Sequence, residues 1–254
     1  MKNSNNRITL MAVVLFWGLL FLAAVNNQAT AVETTSVTVT TGSEFEDETD
    51  NYSAKILVPQ FENMADTELQ FALNHFFQAT ANGLIDTYNA DLEWLKTLEE
   101  GDKPHFTVEY NYKTVTDTDD VLSIQVYYFS AAGSSNFAAS YYNFDKKTNE
   151  LITLSSLFGK NEDYMTILTD YVTSEMLRQN ESGEGGYWLG NTFGEANTDE
   201  MMQQAFDLIE ENHQYYLNED GKLVIIFNKY DVAPGVYGSP EFIIPDEVMA
   251  EILK

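Results

Sequence analysis

The spacing of apolar residues changes period along the chain and predicts the order of its elements. Between residues 52 and 61, apolar and polar residues alternate, which predicts a strand that ends near Pro59. From Asp66 to about Glu99, apolar residues recur every three or four positions, which predicts a long amphipathic helix. Short turn-rich gaps then separate three alternating runs and favour an antiparallel meander over residues 106–115, 121–130 and 137–144.

The second half of the chain mixes shorter segments of both periods. Helical spacing predicts helices over residues 162–179 and 199–211, and a closing helix from Asp246. Alternating runs predict strands over residues 214–217, 222–228 and 242–245. The fold class predicted from these elements is α+β, with antiparallel β-sheets, a long helix in the N-terminal half and further helices packed on one face.

The first 31 residues have the layout of an export signal. Lys2 and Arg7 precede an uncharged apolar run over residues 8–25, and the small residues Ala29 and Ala31 follow it. This layout predicts a signal peptide over residues 1–31 that is cleaved after Ala31. An uncleaved anchor is the alternative, and it would be the chain's one membrane contact. In both cases we expect an extracytoplasmic protein that is secreted, periplasmic or held at the cell surface.

A polar segment follows the signal peptide. Residues 32–50 are rich in threonine and then in acidic residues, ending in EFEDETD. Polar, self-repelling composition of this kind predicts a solvated linker.

The charge and the cysteine count exclude several function classes. The chain has 13 basic and 40 acidic residues, a formal charge of −27. Removing Lys2 and Arg7 with the signal peptide leaves −29 on the exported part. Such a surface repels nucleic acids and attracts cationic partners. Cysteine is absent, which excludes disulfides, thiolate catalysis and cysteine-ligated metals.

No motif in the sequence predicts catalysis or a metal site. The three histidines, His75, His105 and His213, have no spacing that places two of them on one ligand face. A G-x-S-x-G elbow is also missing, and the paired acids lie at expected helix ends and turns. We therefore expect no catalytic residue, metal or cofactor. The enzymatic alternative is a cell-wall glycan hydrolase with carboxylates that no motif reveals.

Aromatic residues in irregular segments are candidates for ligand binding. Tyr187 and Trp188 lie in a glycine-rich stretch over residues 180–197, and a second such segment covers residues 230–240. Rigid aromatic residues on loops are frequent binding anchors. The alternative is that both segments fold back and bury these rings.

Two motifs resemble those of RsiV-type extracytoplasmic domains. Residues 142–158 (YNFDKKTNELITLSSLF) resemble the family pattern nFDlkTGk-ltLxdLF, and residues 223–238 (LVIIFNKYDVAPGVYG) resemble lviyFxpYeiaPyaxG. Residues 52–61 and the Leu73-Asn74 pair resemble the domain that accompanies PdaC-type peptidoglycan deacetylases. The resemblance implies a PdaC-type domain over residues 51–135 and an RsiV-type domain over residues 136–254.

The resemblance also implies a function in the bacterial cell envelope. The best-understood members are anti-sigma factors whose outer domain is a receptor for lysozyme. Only seven residues precede the apolar run here, so we expect no cytoplasmic sigma-binding region. Many members carry GGAHG where this chain has residues 131–136, and the role of that histidine does not carry over.

We therefore expect an exported, non-enzymatic envelope protein that binds a cationic protein such as lysozyme, or cell-wall glycan. A secreted structural protein without a dedicated ligand is a further alternative. The predicted ligand-binding residues lie in two segments at strand ends. They are Ser134, Ser135 and Asn136 in the first segment, and Pro234, Gly235, Val236 and Tyr237 in the second.

Overall fold

The computed structural model of the chain describes residues 35–159, 163–189 and 208–253. The predicted signal peptide (residues 1–31) lies outside these ranges, and so do residues 199–207 of the predicted third helix. Residues 208–211, the end of that prediction, are irregular rather than helical. No helix within the described ranges is long and apolar enough to cross a bilayer.

The long amphipathic pattern forms helix α1, Thr67–Leu95, as predicted. Asp66 caps its N-terminus, because its carboxylate accepts hydrogen bonds from the backbone N–H groups of Glu68 and Leu69 at 3.0 and 2.9 Å. The side chains that α1 buries recur at helical spacing; they are Leu73, Phe77, Ala81, Leu84, Tyr88 and Leu95.

The prediction of a solvated linker over residues 32–50 is wrong for most of that segment. Strand β1, Thr38–Thr49, pairs in antiparallel register with β2, Tyr52–Glu62, across a two-residue turn. The apolar residues within the polar segment explain the pairing, because Phe45 packs edge-on against Tyr88 of α1 with ring centroids 5.4 Å apart. The acidic side chains of β1 suit an edge strand, where charge opposes aggregation.

Strand β2 continues past Pro59, where the sequence predicts its end. Pro59 pairs with Thr41, and the register shifts between Thr41 and Ser43, around Gly42. The proline therefore lies beside a β-bulge, where its missing N–H interrupts the ladder least.

Asn149 holds the start of β1 in place. Its side chain accepts a hydrogen bond from the Val37 N–H at 2.8 Å and donates one to the Thr35 carbonyl at 3.0 Å. Its own carbonyl accepts from the Ala65 N–H at 2.9 Å. Asn149 is buried with a φ of 60°, a left-handed conformation that asparagine tolerates better than most residues.

Six strands form the larger sheet in the order β1-β2-β3-β4-β5-β6. The last four are β3 (Phe106–Asp117), β4 (Val121–Ala132), β5 (Ser134–Asp145) and β6 (Glu150–Ile152). Strand β3 runs parallel to β2, with Tyr52 opposite Phe106 and Ile56 opposite Tyr110. Helix α1 is the crossover that a parallel pair requires. The sheet is therefore mostly, not purely, antiparallel.

The C-terminal part forms a smaller sheet with two helices. Strands β7 (Tyr215–Leu217), β8 (Leu223–Ile226) and β9 (Glu241–Ile243) pair antiparallel in that order. Helix α2 covers Tyr164–Ser182 and helix α3 covers Asp246–Ile252. Their core includes Leu168, Val172 and Met176 of α2, which pack with Leu223 and Ile225 of β8. Single 3-10 turns cover Glu100–Asp102, Ser155–Phe158 and Gly235–Tyr237.

The chain divides into two compact units. The first contains the chain to Tyr112, together with Val126–Ala138 and Lys146–Glu150. The second contains Lys113–Gln125, Ala139–Asp145 and the chain from Leu151. The predicted α+β class is confirmed.

Candidate functional site

The two predicted binding segments lie in different units. Ser134, Ser135 and Asn136 belong to the first unit, where they are the opening residues of β5. The prediction that they form a turn is wrong, because Gly133 alone connects β4 to β5. Its φ of 86° is a conformation that suits glycine. Asn136 accepts a hydrogen bond from the Phe137 N–H through its own side chain at 3.0 Å.

The second predicted segment is part of a loop in the second unit, residues 228–240, called the Pro loop below. Gly235–Tyr237 forms a 3-10 turn, in which the Tyr237 N–H donates to the Pro234 carbonyl at 3.0 Å. Val236 at its tip is 87% exposed and Tyr237 is 44% exposed. The loop therefore presents apolar surface to solvent, as expected of a binding segment.

A second loop, residues 183–189, lies against the Pro loop and is called the Gly loop below. The Trp188 N–H donates to the Val232 carbonyl at 2.9 Å. The Tyr237 ring lies directly on the Gly186 backbone, where an added Cβ would come within 2.4 Å of Cε2 of the ring. Glycine at position 186 is therefore required for this contact. Trp188 and Tyr230, which are not among the predicted site residues, add apolar surface that is 39% and 49% exposed.

The Gly loop is held by the end of helix α2. Gly183 ends the helix in a left-handed conformation, with φ at 77°. The Asn180 side chain then accepts from the Tyr187 N–H at 2.8 Å and donates to the Tyr187 carbonyl at 3.0 Å. The Tyr187 ring is buried against Phe242, with centroids 5.7 Å apart, and its hydroxyl donates to Gln179 at 2.8 Å.

The two aromatic residues of the Gly loop differ in burial. Tyr187 folds back and is buried, as the second alternative expects, whereas its neighbour Trp188 is exposed and stays a candidate for binding.

The Pro loop has a strained entry. Tyr230 has a φ of 74°, which is unfavourable for an aromatic residue, and its ring lies on the Gly235 backbone. The carboxylate of Asp231 accepts from the Asn228 N–H at 2.7 Å and so closes the turn. Burial raises the pKa of Asp231 above its usual range, although the backbone hydrogen bond opposes this shift. Such strain persists where surrounding contacts fix the backbone, and it is concentrated at functional sites.

The described residues contain no cluster that suits a metal ion. Within them, no three His, Asp or Glu side chains come close enough to share a cation. The three histidines are in separate places: His75 is exposed on α1, the His105 ring lies 3.3 Å from the Asp50 carbonyl, and His213 packs against Phe227.

Comparison with known proteins matches both halves of the chain. A family model described as "Deacetylase PdaC" matches residues 45–135, and one described as "Protein of unknown function (DUF3298)" matches residues 155–247. A crystal structure of a DUF3298 family member from Bacteroides fragilis has the same fold, with a TM-score of 0.55 and 17% identity, and covers 86% of this chain and 94% of that one.

One relative is similar to this chain across both halves. The anti-sigma-V factor RsiV of Bacillus subtilis strain 168 is 32% identical over 244 residues, which cover 92% of this chain and 80% of the relative. The chain belongs to the RsiV family.

Proposed function

We propose that this chain is an exported, non-enzymatic receptor whose ligand is a basic, lysozyme-like muramidase. The single observation that carries the proposal is the apolar surface formed by the Gly and Pro loops. Four of its side chains, Trp188, Tyr230, Val236 and Tyr237, are large, apolar and between 39% and 87% exposed. Exposed apolar side chains gathered on two adjoining loops are typical of an interaction site.

The contacts between the loops favour binding because they fix the apolar surface before a ligand arrives. The Trp188 hydrogen bond to Val232 and the stacking of Tyr237 on Gly186 hold the two loops together. Asn180 holds the base of the Gly loop through two hydrogen bonds. A preordered surface loses less conformational entropy on binding, so more of the contact energy contributes to affinity.

The charge of the exported part favours a basic partner over a neutral one. A surface of formal charge −29 accelerates the encounter with a cationic protein at low ionic strength. The relative is named as an anti-sigma factor, and a receptor domain outside the cytoplasm is compatible with that kind of sensor. Ser134, Ser135 and Asn136 in the first unit are proposed as a second contact.

Binding of purified residues 32–254 to a basic lysozyme tests the proposal. We expect a specific complex that blocks lysozyme activity and whose association slows as salt rises, because exposed charges steer the encounter. Trp188→Ala should weaken the complex by at least about 1 kcal/mol, as expected of a contact residue. An unrelated protein of similar basic charge is the control. If this control protein binds as tightly as lysozyme and Trp188→Ala does not weaken the lysozyme complex, the binding is nonspecific charge attraction and the proposal fails.

A further inference from the structure

A row of side chains crosses one face of the larger sheet within the first unit. Glu46 of β1 is opposite Lys55 of β2, and Lys55 is opposite Glu109 of β3. Tyr127 of β4 continues the row, because its hydroxyl reaches Glu109, and Phe137 of β5 stacks on Tyr127. The alternate residues of β2, Ala54 and Ile56 among them, are buried on the opposite face.

The carboxylate of Glu109 is held by only one of its two oxygens. Its Oε1 atom accepts hydrogen bonds from the Tyr127 hydroxyl at 2.6 Å and from the Asn111 side-chain amide at 3.1 Å. Its Oε2 atom accepts none from the described residues. The carboxylate is therefore fixed in orientation while one oxygen is available to a donor from outside.

Two stacked aromatic rings lie beside this carboxylate. The rings of Tyr127 and Phe137 are stacked, with centroids 5.6 Å apart and planes inclined by 27°. Burial, together with the hydrogen bond to Glu109, raises the pKa of Tyr127 to about 12, so its hydroxyl keeps the proton that it donates. A fixed carboxylate beside a flat aromatic surface suits a planar cation, which can donate to the oxygen and stack on the ring.

The local charge is acidic in spite of Lys55. Three acidic residues of β1 lie on the same face of the sheet as Lys55, because they alternate along the strand: Glu44, Glu46 and Glu48. The ammonium of Lys55 forms no ion pair with a described residue, so it does not occupy the Oε2 atom of Glu109. Charge complementarity therefore favours a cationic ligand at this face.

We propose that Glu109, Asn111, Tyr127 and Phe137 form a site for an arginine side chain of a cationic protein partner. The guanidinium would donate to Oε2 of Glu109 and lie against the Tyr127–Phe137 stack. Arginine is favoured over lysine because its planar group can make both contacts together, whereas an ammonium is compact and strongly hydrated. The site extends the proposed function, but it lies outside the Gly and Pro loops and is tested without a protein partner.

Ligand-observed saturation-transfer NMR tests the site on the full chain in mild detergent. The probes are N-acetyl-arginine methylamide, its lysine counterpart, and the citrulline counterpart, which is planar but neutral. We expect arginine to bind at least about threefold more tightly than either of the others. Equal binding of arginine and citrulline would overturn the proposal.

Variants separate the site from the general acidity of the chain. Glu109→Gln should weaken arginine binding at least about fivefold, because the charge-assisted hydrogen bond is lost. Asp86→Asn on the exposed face of α1 removes the same charge and should leave the affinity within about twofold. Equal losses in both variants would contradict the assignment. If Glu109→Gln does not fold, Tyr127→Phe is the second variant. It keeps the aromatic ring but removes the hydroxyl that fixes the Glu109 carboxylate, so arginine binding should still weaken. Unchanged arginine affinity in Tyr127→Phe would refute the site. These results do not depend on lysozyme, so either proposal can fail alone.

Discussion

His213 carries a buried imidazole in the second unit, and its protonation in acid should weaken that unit. Its Nε2 atom is buried without a hydrogen-bond partner among the described residues, and its ring meets Phe227 edge to face at 4.7 Å. Burial lowers the pKa of His213 to about 4, while a hydrogen bond to the Ile226 backbone opposes the shift. In an unfolded chain the pKa is about 6.5.

The sign and size of the effect follow from these two pKa values. Because the folded-state pKa of His213 is the lower one, the unfolded state binds more protons between about pH 6.5 and pH 4. The contribution of His213 to the free energy of unfolding is therefore fully present above about pH 6.5, and it is lost as the pH falls through this window. The whole window corresponds to about 3 kcal/mol, of which about 2 kcal/mol is lost by about pH 5.

Urea unfolding of residues 32–254 at about pH 7.5 and about pH 5 measures this loss. In a Trp94→Phe background, the fluorescence of Trp188 reports on the second unit. We expect His213→Phe, or His213→Gln if the phenylalanine does not fit, to lose about 2 kcal/mol less than the parent between these pH values. Asp231 titrates in both proteins, so its contribution cancels in the difference. Equal losses in parent and variant would refute the reasoning.

Three further predictions concern the attachment of β1, metal dependence and processing. Asn149→Ala should destabilise the chain by about 2 kcal/mol in urea unfolding, because the buried Val37 N–H loses its acceptor and the Thr35 carbonyl loses its donor. No change would mean that Asn149 does not hold the segment before β1. EDTA should leave the melting temperature unchanged, and a fall of many degrees would reveal a bound cation. Exported protein should begin at Val32 by N-terminal sequencing, and Met1 retained in the membrane fraction would favour an anchor.

The elements set by local periodicity could be predicted from the sequence. Leu73, Phe77, Leu84 and Tyr88 recur at helical spacing, and they define α1 without any knowledge of its neighbours. Strand β1 could not be found by the same means, because its composition is that of a solvated linker and its packing depends on Tyr88, far along the chain. The short turn between two alternating runs, at Asp50 and Asn51, was the available signal.

The candidate site was predictable only in part, for the same reason. The Pro loop carries a recognisable motif, and its exposed Val236 and Tyr237 were among the predicted residues. The stacking of Tyr237 on Gly186 joins positions about fifty residues apart, and sequence spacing gives no sign of such a contact. The parallel pairing of β2 with β3 is equally non-local, although a long helix between two strands is compatible with it.

The central claim is that the loop surface, rather than the charge of the chain, selects the ligand. The most direct test compares the dissociation constant of a basic lysozyme for two variants of residues 32–254. Tyr237→Ala removes a half-exposed ring from the Pro loop, and Phe71→Ala removes a ring that is 72% exposed on α1 in the other unit. The proposed receptor site predicts that Tyr237→Ala weakens binding at least about fivefold while Phe71→Ala leaves it unchanged. Equal effects of the two variants, or none from Tyr237→Ala, would contradict it.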